Sequence, residues 1–433
     1  MWAYEGFFYQ IYPLGMTGAP FENDGVLNHR IKKIEKWLPH LKKLGVTAVL
    51  FNPLFDSDTH GYNTRDYRKL DPRLGDNKDF KSLVKKLHKN GQKVILDGVF
   101  NHVGRGFFGF KDVLEKREHS PYLSWFNINL SGNDAWNDGL WYEGWEGNYD
   151  LVKLNLSNEE VVNYLLESVR FWIEEFDIDG LRLDVAYCLD QNFIRRLRSF
   201  CDSLKEDFFL TGEMIGGDYR RIMGDGLCHS ATNYECYKGL YSSMNSYNLF
   251  EITHSLLRQF GPENWTLYKG EHLLSFLDNH DVTRLASVLT RREHILPAYT
   301  LMFGMPGIPI VYYGSEWGIN GNKSEGDPAL RPAIEEPSWN EITDHLSKLA
   351  AAYKDCKPLF YGDFKAPVLQ NKYCVWERDY ERERVFVACN IGDEPVRAYF
   401  DAGKGELTDI ITCKKCSMDG GLEIPPLTAY ILR

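Results

Sequence analysis

The 433-residue sequence has no glycine-rich phosphate loop, no dinucleotide fingerprint and no Ser, His and Asp in a nucleophile order, so nothing in it points to phosphoryl, hydride or serine-type acyl transfer. It has no long block of one charge either. The 61 acidic and 50 basic residues are spread along the chain, and a net charge of -11 favours solubility over a nucleic-acid or anionic-membrane partner. One long uncharged stretch, ILPAYTLMFGMPGIPIVYYG at 295–314, is broken by Pro297, Pro306 and Pro309, which predicts a helix, a turn and a buried strand rather than a membrane span. The start, MWAYEGFFYQIYPLG, lacks a basic segment followed by an apolar one and a small-residue cleavage site, so no signal peptide is visible and a cytoplasmic location is expected. Cysteine is present without a framework: nine residues, an odd number without regular spacing, predict free thiols that mostly fill core. Cys413 and Cys416 form a single CxxC with no second pair to complete a zinc site, and read as two half-buried thiols.

What is present is enough apolar residue, 43%, for one large domain and a small one. Eight short strand-like runs recur at 7–14, 48–55, 93–102, 180–186, 208–214, 230–235, 273–281 and 308–314. Amphipathic helical segments lie between them. In DNKDFKSLVKKLHKNG, Phe80, Leu83, Val84 and Leu87 share one face and Gly91 supplies a left-handed stop. Before residue 161, Ser157 and Glu160 read as a capping box. Such alternation predicts an α/β fold with a parallel sheet, most economically a (β/α)8 barrel, with an open doubly wound sheet as the alternative. Two segments depart from it. Residues 103–150 are too long for an ordinary βα loop and rich in aromatics, which predicts an excursion at the rim where barrel enzymes bind substrate. Beyond 355 the pattern shortens to alternation around GDEP and MDGG, the mark of a small antiparallel β domain. The expected division is a barrel at 1–102 and 151–355, an inserted domain at 103–150 and a C-terminal β-sandwich at 356–433.

Polar clusters fall where four predicted strands end: Asp97, Asn101 and His102 in DGVFNH, Arg182 and Asp184 in LRLD, Glu213 in GE, and Asp278, Asn279, His280 and Asp281 in DNHD. Any one of these is an ordinary strand end or salt bridge; four together at one rim are not. Three carboxylates, an arginine and two histidines suit glycosidic bonds, where one carboxyl serves as acid and base and another as nucleophile. Asp184 and Glu213 on neighbouring strands, about 4.8 Å apart, approach the roughly 5–5.5 Å carboxyl spacing of retaining enzymes. Arg182, two residues before Asp184 on the same strand face, can keep that aspartate ionised, while Leu181 and Leu183 face the helices. Glu213 must carry a proton, and Asp281 can stabilise positive charge or grip hydroxyls. Tyr62 in HGYNT, and Phe107, Phe108, Tyr142 and Trp145 in the excursion, are candidate platforms for sugar rings, though the excursion's aromatics suit a mini-core of its own equally well.

At these residues the chain resembles the α-amylase family of glycoside hydrolases, whose motifs appear in order as DGVFNH, GLRLDVAYC, GEMI and FLDNHD. The resemblance implies a TIM barrel with an insertion after strand three and a C-terminal β-sandwich. It implies Asp184 as nucleophile, Glu213 as general acid and base, and Asp281 as transition-state stabiliser. Tyr62, His102, Arg182 and His280 would shape the subsite of the distorted sugar, Asp97 and Asn101 would be structural, and Asp327 and Arg331 in GDPALRP would contact the next sugar. HGYNTRDYRKLDPRLG and LVKLN are most similar to the neopullulanase, cyclomaltodextrinase and maltogenic amylase group. That group's N-terminal β domain is not in this sequence, so neither a dimer nor a preference for cyclodextrins follows. Tyr187 and Cys188 stand where many relatives carry the Lys-His pair associated with sugar and calcium. No cofactor is required by the chemistry, and calcium stays open, with ENDG at 22–25 oxygen-rich but also an ordinary turn. The expected partner is a maltodextrin. A glucanotransferase or isomerising enzyme would use the same residues, and a non-catalytic transporter subunit would lack the carboxylates that this chain keeps. Bond preference, endo or exo action and oligomeric state are left open by these residues.

Overall fold

The computed structural model describes all 433 residues, and each of the eight apolar runs contributes a strand to one sheet. In chain order these are β1 (Phe8–Ile11), β2 (Ala48–Phe51), β3 (Lys93–Gly98), β4 (Gly180–Leu183), β5 (Phe209–Gly212), β6 (Ser230–Ala231), β7 (Leu274–Ser275) and β8 (Ile308–Tyr312). All neighbours pair in parallel, in the order β6-β5-β4-β3-β2-β1-β8-β7. The ring closes between its two ends through a parallel bridge from Thr232 to Leu274 and an Asn233 N–H to Leu274 carbonyl bond of 2.9 Å. This is a (β/α)8 barrel, and the open doubly wound alternative falls.

The period-two alternation of the strands separates two cores. Phe8, Leu50, Ile95, Phe209, Leu274 and Ile310 pack inside the barrel. Tyr9, Val49, Leu96, Leu181, Leu183 and Val311 pack outward under the helices. The inward positions change character along the barrel axis. They are apolar toward the N-terminal end; toward the C-terminal end Arg182 on β4 stands beside Asp97 on β3 and Thr211 on β5. Among the inward strand positions, buried charge is therefore confined to one mouth.

Helix ends follow local chemistry. Asp76 caps the helix Asn77–Asn90 with a reciprocal box to Asp79, and Gly91 ends it at φ 95°. The helix Glu159–Phe176 starts one residue later than the sequence reading placed it. Asn158 is its cap, accepting from the Glu160 N–H at 2.8 Å, because the Ser157 N–H is already bonded to the Asn155 side chain at 3.1 Å. The stretch 295–314 forms the helix Ile295–Gly304, a turn and β8, and no helix of the chain is long and apolar enough to cross a membrane.

Between β3 and β4, a three-stranded sheet joins His102–Gly104, Gly144–Trp145 and Asn148–Lys153. Two of the four excursion aromatics belong to its interior. Phe107 and Tyr142 are buried, while Phe108 is exposed on one side and packs edge-on against Tyr122, Trp125 and Tyr164 with ring centroids 5.2, 5.9 and 5.5 Å apart. A segment this short has few aliphatic residues, so its aromatics must supply its core.

After the barrel, Asp363–Leu369, Tyr373–Tyr380, Glu383–Asn390 and Thr428–Leu432 form an antiparallel sheet. One face, with Val375, Phe386 and Ala388, packs against Leu407, Leu422 and Ile424 of two short strand pairs. The other face, with Trp376, Val387 and Ile431, joins the barrel's outer core. That contact is close: a Cβ on Gly304 would come within 2.6 Å of Val387. All nine cysteines are free, and Cys413 of the CxxC is exposed.

Five histidines are expected to make the fold acid-sensitive. Burial pushes His102 down to about 3, and His60, His229, His272 and His345 down to about 4. Unfolded histidine titrates near about 6.5, so between those values the unfolded chain binds protons that the folded chain refuses, and stability falls as pH falls. Each contributes up to about 1.4 kcal/mol per pH unit in that window. The thermal unfolding midpoint is expected to fall steadily from pH 7 to pH 5, and His229→Gln with His272→Gln should make that slope shallower. A midpoint constant over that range would contradict this.

Candidate active site

β4 ends at Leu183, and the next residue, Asp184, still points into the barrel because the strand alternation carries it there. Arg182 lies beneath it, 4% exposed, and is the hub of the mouth. Its Nη1 donates to both oxygens of Asp97 at 2.8 Å and to Asp184 Oδ1 at 3.0 Å, and its Nη2 pairs with Glu213 Oε1 at 2.7 Å. One guanidinium thus serves three buried carboxylates from three adjacent strands, using the planar fork that arginine alone offers. Burial pushes the Asp184 carboxyl well above the usual carboxylate range; Arg182 opposes that shift, and the negative charges of Glu213 and Asp97 add to it. With one fixed cation among three carboxylates, the cluster favours holding a proton.

Glu213 follows β5, where its N–H bonds to the Leu183 carbonyl at 2.9 Å. Its other oxygen, Oε2, accepts from the Val185 N–H at 2.9 Å, and the Tyr234 hydroxyl reaches Oε1 at 3.4 Å. Tyr234 is in turn held by Asn279 Nδ2 at 3.1 Å.

Asp281 stands across the cleft. His280 Nε2 lies 3.0 Å from its Oδ2 and Arg331 Nη2 lies 2.9 Å from its Oδ1. Although desolvation would raise it, the charges of His280, Arg331 and Arg182 hold this carboxyl below its ordinary range. Arg331 also pairs with Asp327 at 3.0 Å and lies over the Tyr12 ring. Tyr62 donates to Asp97 Oδ2 at 3.1 Å and touches His280 Nε2, with the two rings stacked. Under them Asn52 and Gln10 tie Asp97, Tyr62 and His280 into one network. His102 is held neutral by burial; its Nε2 has no hydrogen-bond partner and lies 3.8 Å from Asp184 Oδ2. That nitrogen is left for a ligand.

These side chains line a cleft of about 480 Å³ at the C-terminal mouth. Asp184, Glu213, Asp281, Tyr62, His102, Asp327 and Arg331 face it, joined by Trp145 from the excursion. Arg182, Asp97, His280 and Asn101 form its floor, Asn101 bonded to the His102 ring at 3.1 Å. Asp278 does not take part. Its carboxylate accepts from the Leu285 N–H at 2.7 Å and the Ser315 hydroxyl at 2.8 Å, away from the cleft.

The matched family model, described as the catalytic domain of alpha amylase, covers residues 10–357. The chain belongs to the α-amylase family. A cyclomaltodextrinase of Thermoanaerobacter pseudethanolicus is 30% identical over 100% of this chain and 78% of its own. An intracellular maltogenic amylase of Bacillus subtilis is 32% identical over 73% of this chain, which spans 53% of that protein's length. Among solved structures, a cyclic α-maltosyl-(1→6)-maltose hydrolase of Arthrobacter globiformis, in complex with maltose, is 26% identical with a TM-score of 0.83, covering 100% of this chain and 99% of that one.

This α-amylase-family chain also holds site residues that the motifs did not single out. Gln10 and Asn52 were legible as lone polar residues at inward positions of the runs FFYQIYPL and AVLFNPLF. Tyr234 and Val185 carried no such signal, since an aromatic or aliphatic residue in an apolar run reads as core. The oxygen-rich ENDG turn is not shaped as a cation cage. No three His, Cys, Asp or Glu side chains gather as a metal cage. In ENDG the Asn23 amide donates to Asp56 Oδ1 at 2.9 Å and to the Ser57 carbonyl at 2.7 Å, placing a donor against the very oxygens a cation would need.

Proposed function

We propose that the protein is a retaining glycoside hydrolase that cleaves α-glucosidic bonds, chiefly α-1,4, of maltooligosaccharides. The observation that carries this reading is the sharing of one buried guanidinium by Asp184 and Glu213. Two carboxyls on the two terminal nitrogens of one arginine suit the roughly 5–5.5 Å spacing of a nucleophile and an acid better than the about 6.5–9.5 Å that leaves room for a water. In the first step Glu213 gives its proton to the glycosidic oxygen as the C1–O bond breaks, and Asp184 bonds to C1. In the second, Glu213 takes a proton from water, whose oxygen attacks C1 and releases Asp184. Asp281, kept anionic by His280 and Arg331, faces the positive charge that develops on the sugar. His102 Nε2 and Trp145 offer a donor and a ring face to the same sugar. An intracellular, maltodextrin-degrading role is in keeping with the names of the relatives.

The test is a time course of products from maltoheptaose, β-cyclodextrin and pullulan, with the anomeric configuration read early. Retained configuration is expected, and inversion would end the reading. Glu213→Gln is expected to lower turnover of maltoheptaose by about 10²- to 10⁴-fold; full activity would remove Glu213 as the acid. A second reading, transfer of the glycosyl unit to another sugar, is favoured by Ile215, which is 54% exposed on the cleft wall and offers an apolar face to an acceptor ring. Products longer than the substrate, formed from maltotriose, would distinguish it.

A further inference from the structure

We propose that Val185 is a positioning residue: its left-handed backbone turns its N–H onto the Glu213 carboxyl and so aims the acid at the bond to be cleaved. The proposal rests on the reading of Glu213 as general acid.

Val185 has φ 39° and ψ 46°. Eleven residues other than glycine adopt positive φ in this chain, and Val185 is the one β-branched side chain among them. A branched Cβ crowds the backbone in this region, so the conformation is held against its own preference. Its place in the chain says what holds it there. The Asp184 N–H still bonds toward β3, to the Gly98 carbonyl at 3.1 Å, and the chain then turns sharply into the short helical turn Ala186–Cys188. A continued parallel ladder would offer the Val185 N–H a backbone carbonyl. The turn offers it Glu213 Oε2 at 2.9 Å instead. The valine side chain is 5% exposed and lines the cleft.

The consequence for Glu213 is geometric. Arg182 pairs with Oε1 at 2.7 Å and the Tyr234 hydroxyl reaches the same oxygen at 3.4 Å, while the Val185 amide alone donates to Oε2 and so fixes the plane of the carboxyl. Partners on Oε1 alone would leave the group free to rotate about that oxygen. Proton transfer to the glycosidic oxygen depends on that orientation; bond breaking to a leaving group that needs no proton does not. A glycine at 185 would keep the N–H but release the backbone, since it adopts many other conformations equally well. Asparagine tolerates the left-handed region and would keep the turn.

The experiment compares kcat/KM, which reports the first chemical step, on maltotriose and on 2,4-dinitrophenyl α-maltoside, whose leaving group departs without a proton. Val185→Gly is expected to lose about 10- to 100-fold on maltotriose, while the aryl maltoside rate changes far less. Val185→Asn should hold the ratio of the two rates near that of the unchanged protein. Thermal unfolding of both variants shows that they are folded, and Glu213→Gln is measured beside them. If Glu213→Gln separates the two substrates and Val185→Gly lowers both alike, or neither, the role of Val185 is overturned. If Glu213→Gln fails to separate them, the assignment of the acid falls, and the proposal with it.

Discussion

Asp184→Asn is expected to abolish turnover and at the same time to make the protein more stable. The first half follows from the proposed role of Asp184 as the group that bonds to C1; single replacements of a catalytic nucleophile cost on the order of 10⁴-fold or more. The second half follows from the site's electrostatics. Asp184 is 5% exposed beside Glu213 and Asp97, and burial raises its carboxyl above the ordinary range. An acid whose folded value lies above its unfolded value of about 3.9 weakens the fold at neutral pH, because the unfolded chain releases that proton more readily. Asparagine keeps an oxygen for Arg182 and removes the repulsion. A higher stability at pH 7 is expected, with the gap between variant and parent closing as pH is lowered toward 4. Turnover of maltoheptaose and thermal unfolding at pH 7 and pH 5 measure both halves. Near-normal turnover would end the nucleophile assignment, and a lower midpoint at pH 7 would contradict the electrostatic account.

Arg182→Met should have the opposite effect on stability and the same effect on activity. It removes the cation on which Asp97, Asp184 and Glu213 converge and leaves three buried carboxylates facing one another. Breaking a buried ion pair from one side costs roughly 3–5 kcal/mol, and this site has three partners to orphan. The carboxylates can then be accommodated only by taking up protons, so the variant should recover stability as pH falls from 7 to 5 while its turnover stays lost. Arg182→Lys keeps the charge but not the fork, and should keep part of the stability without restoring the alignment of Asp184 and Glu213. Denaturant unfolding at the two pH values, with kcat/KM on maltotriose, tests the set. A stability of Arg182→Met equal to that of the parent would show that the guanidinium is not the hub.

The barrel was readable because its signal is repetitive. Leu181 and Leu183 alternate with Arg182 and Asp184, and the same period of two sorts Phe8 from Tyr9 and Leu50 from Val49. The motif residues were readable because a charged residue at the end of an apolar run stands out against its neighbours. Asp97 was read as part of the strand-end cluster and as a structural member of its motif, and its place as a partner of Arg182, taking Nη1 on both oxygens, depends on the register between β3 and β4, which no local pattern contains. The aromatics of the excursion were legible as aromatics but not by role. Phe107 and Tyr142 go inward and Trp145 faces the cleft because of how a three-stranded sheet folds back on His102–Gly104.

The sequence by itself determined the number and order of the strands, the end of the barrel that carries charge, and the residue types gathered there, since each depends on local periodicity and burial preference. The tertiary structure alone decided that one arginine serves three carboxylates, that Tyr234 and the Val185 amide reach Glu213, and that His102 keeps a free nitrogen toward the cleft. Those are contacts between strands far apart in the chain, and their geometry is set by register and barrel closure rather than by any residue's own preference.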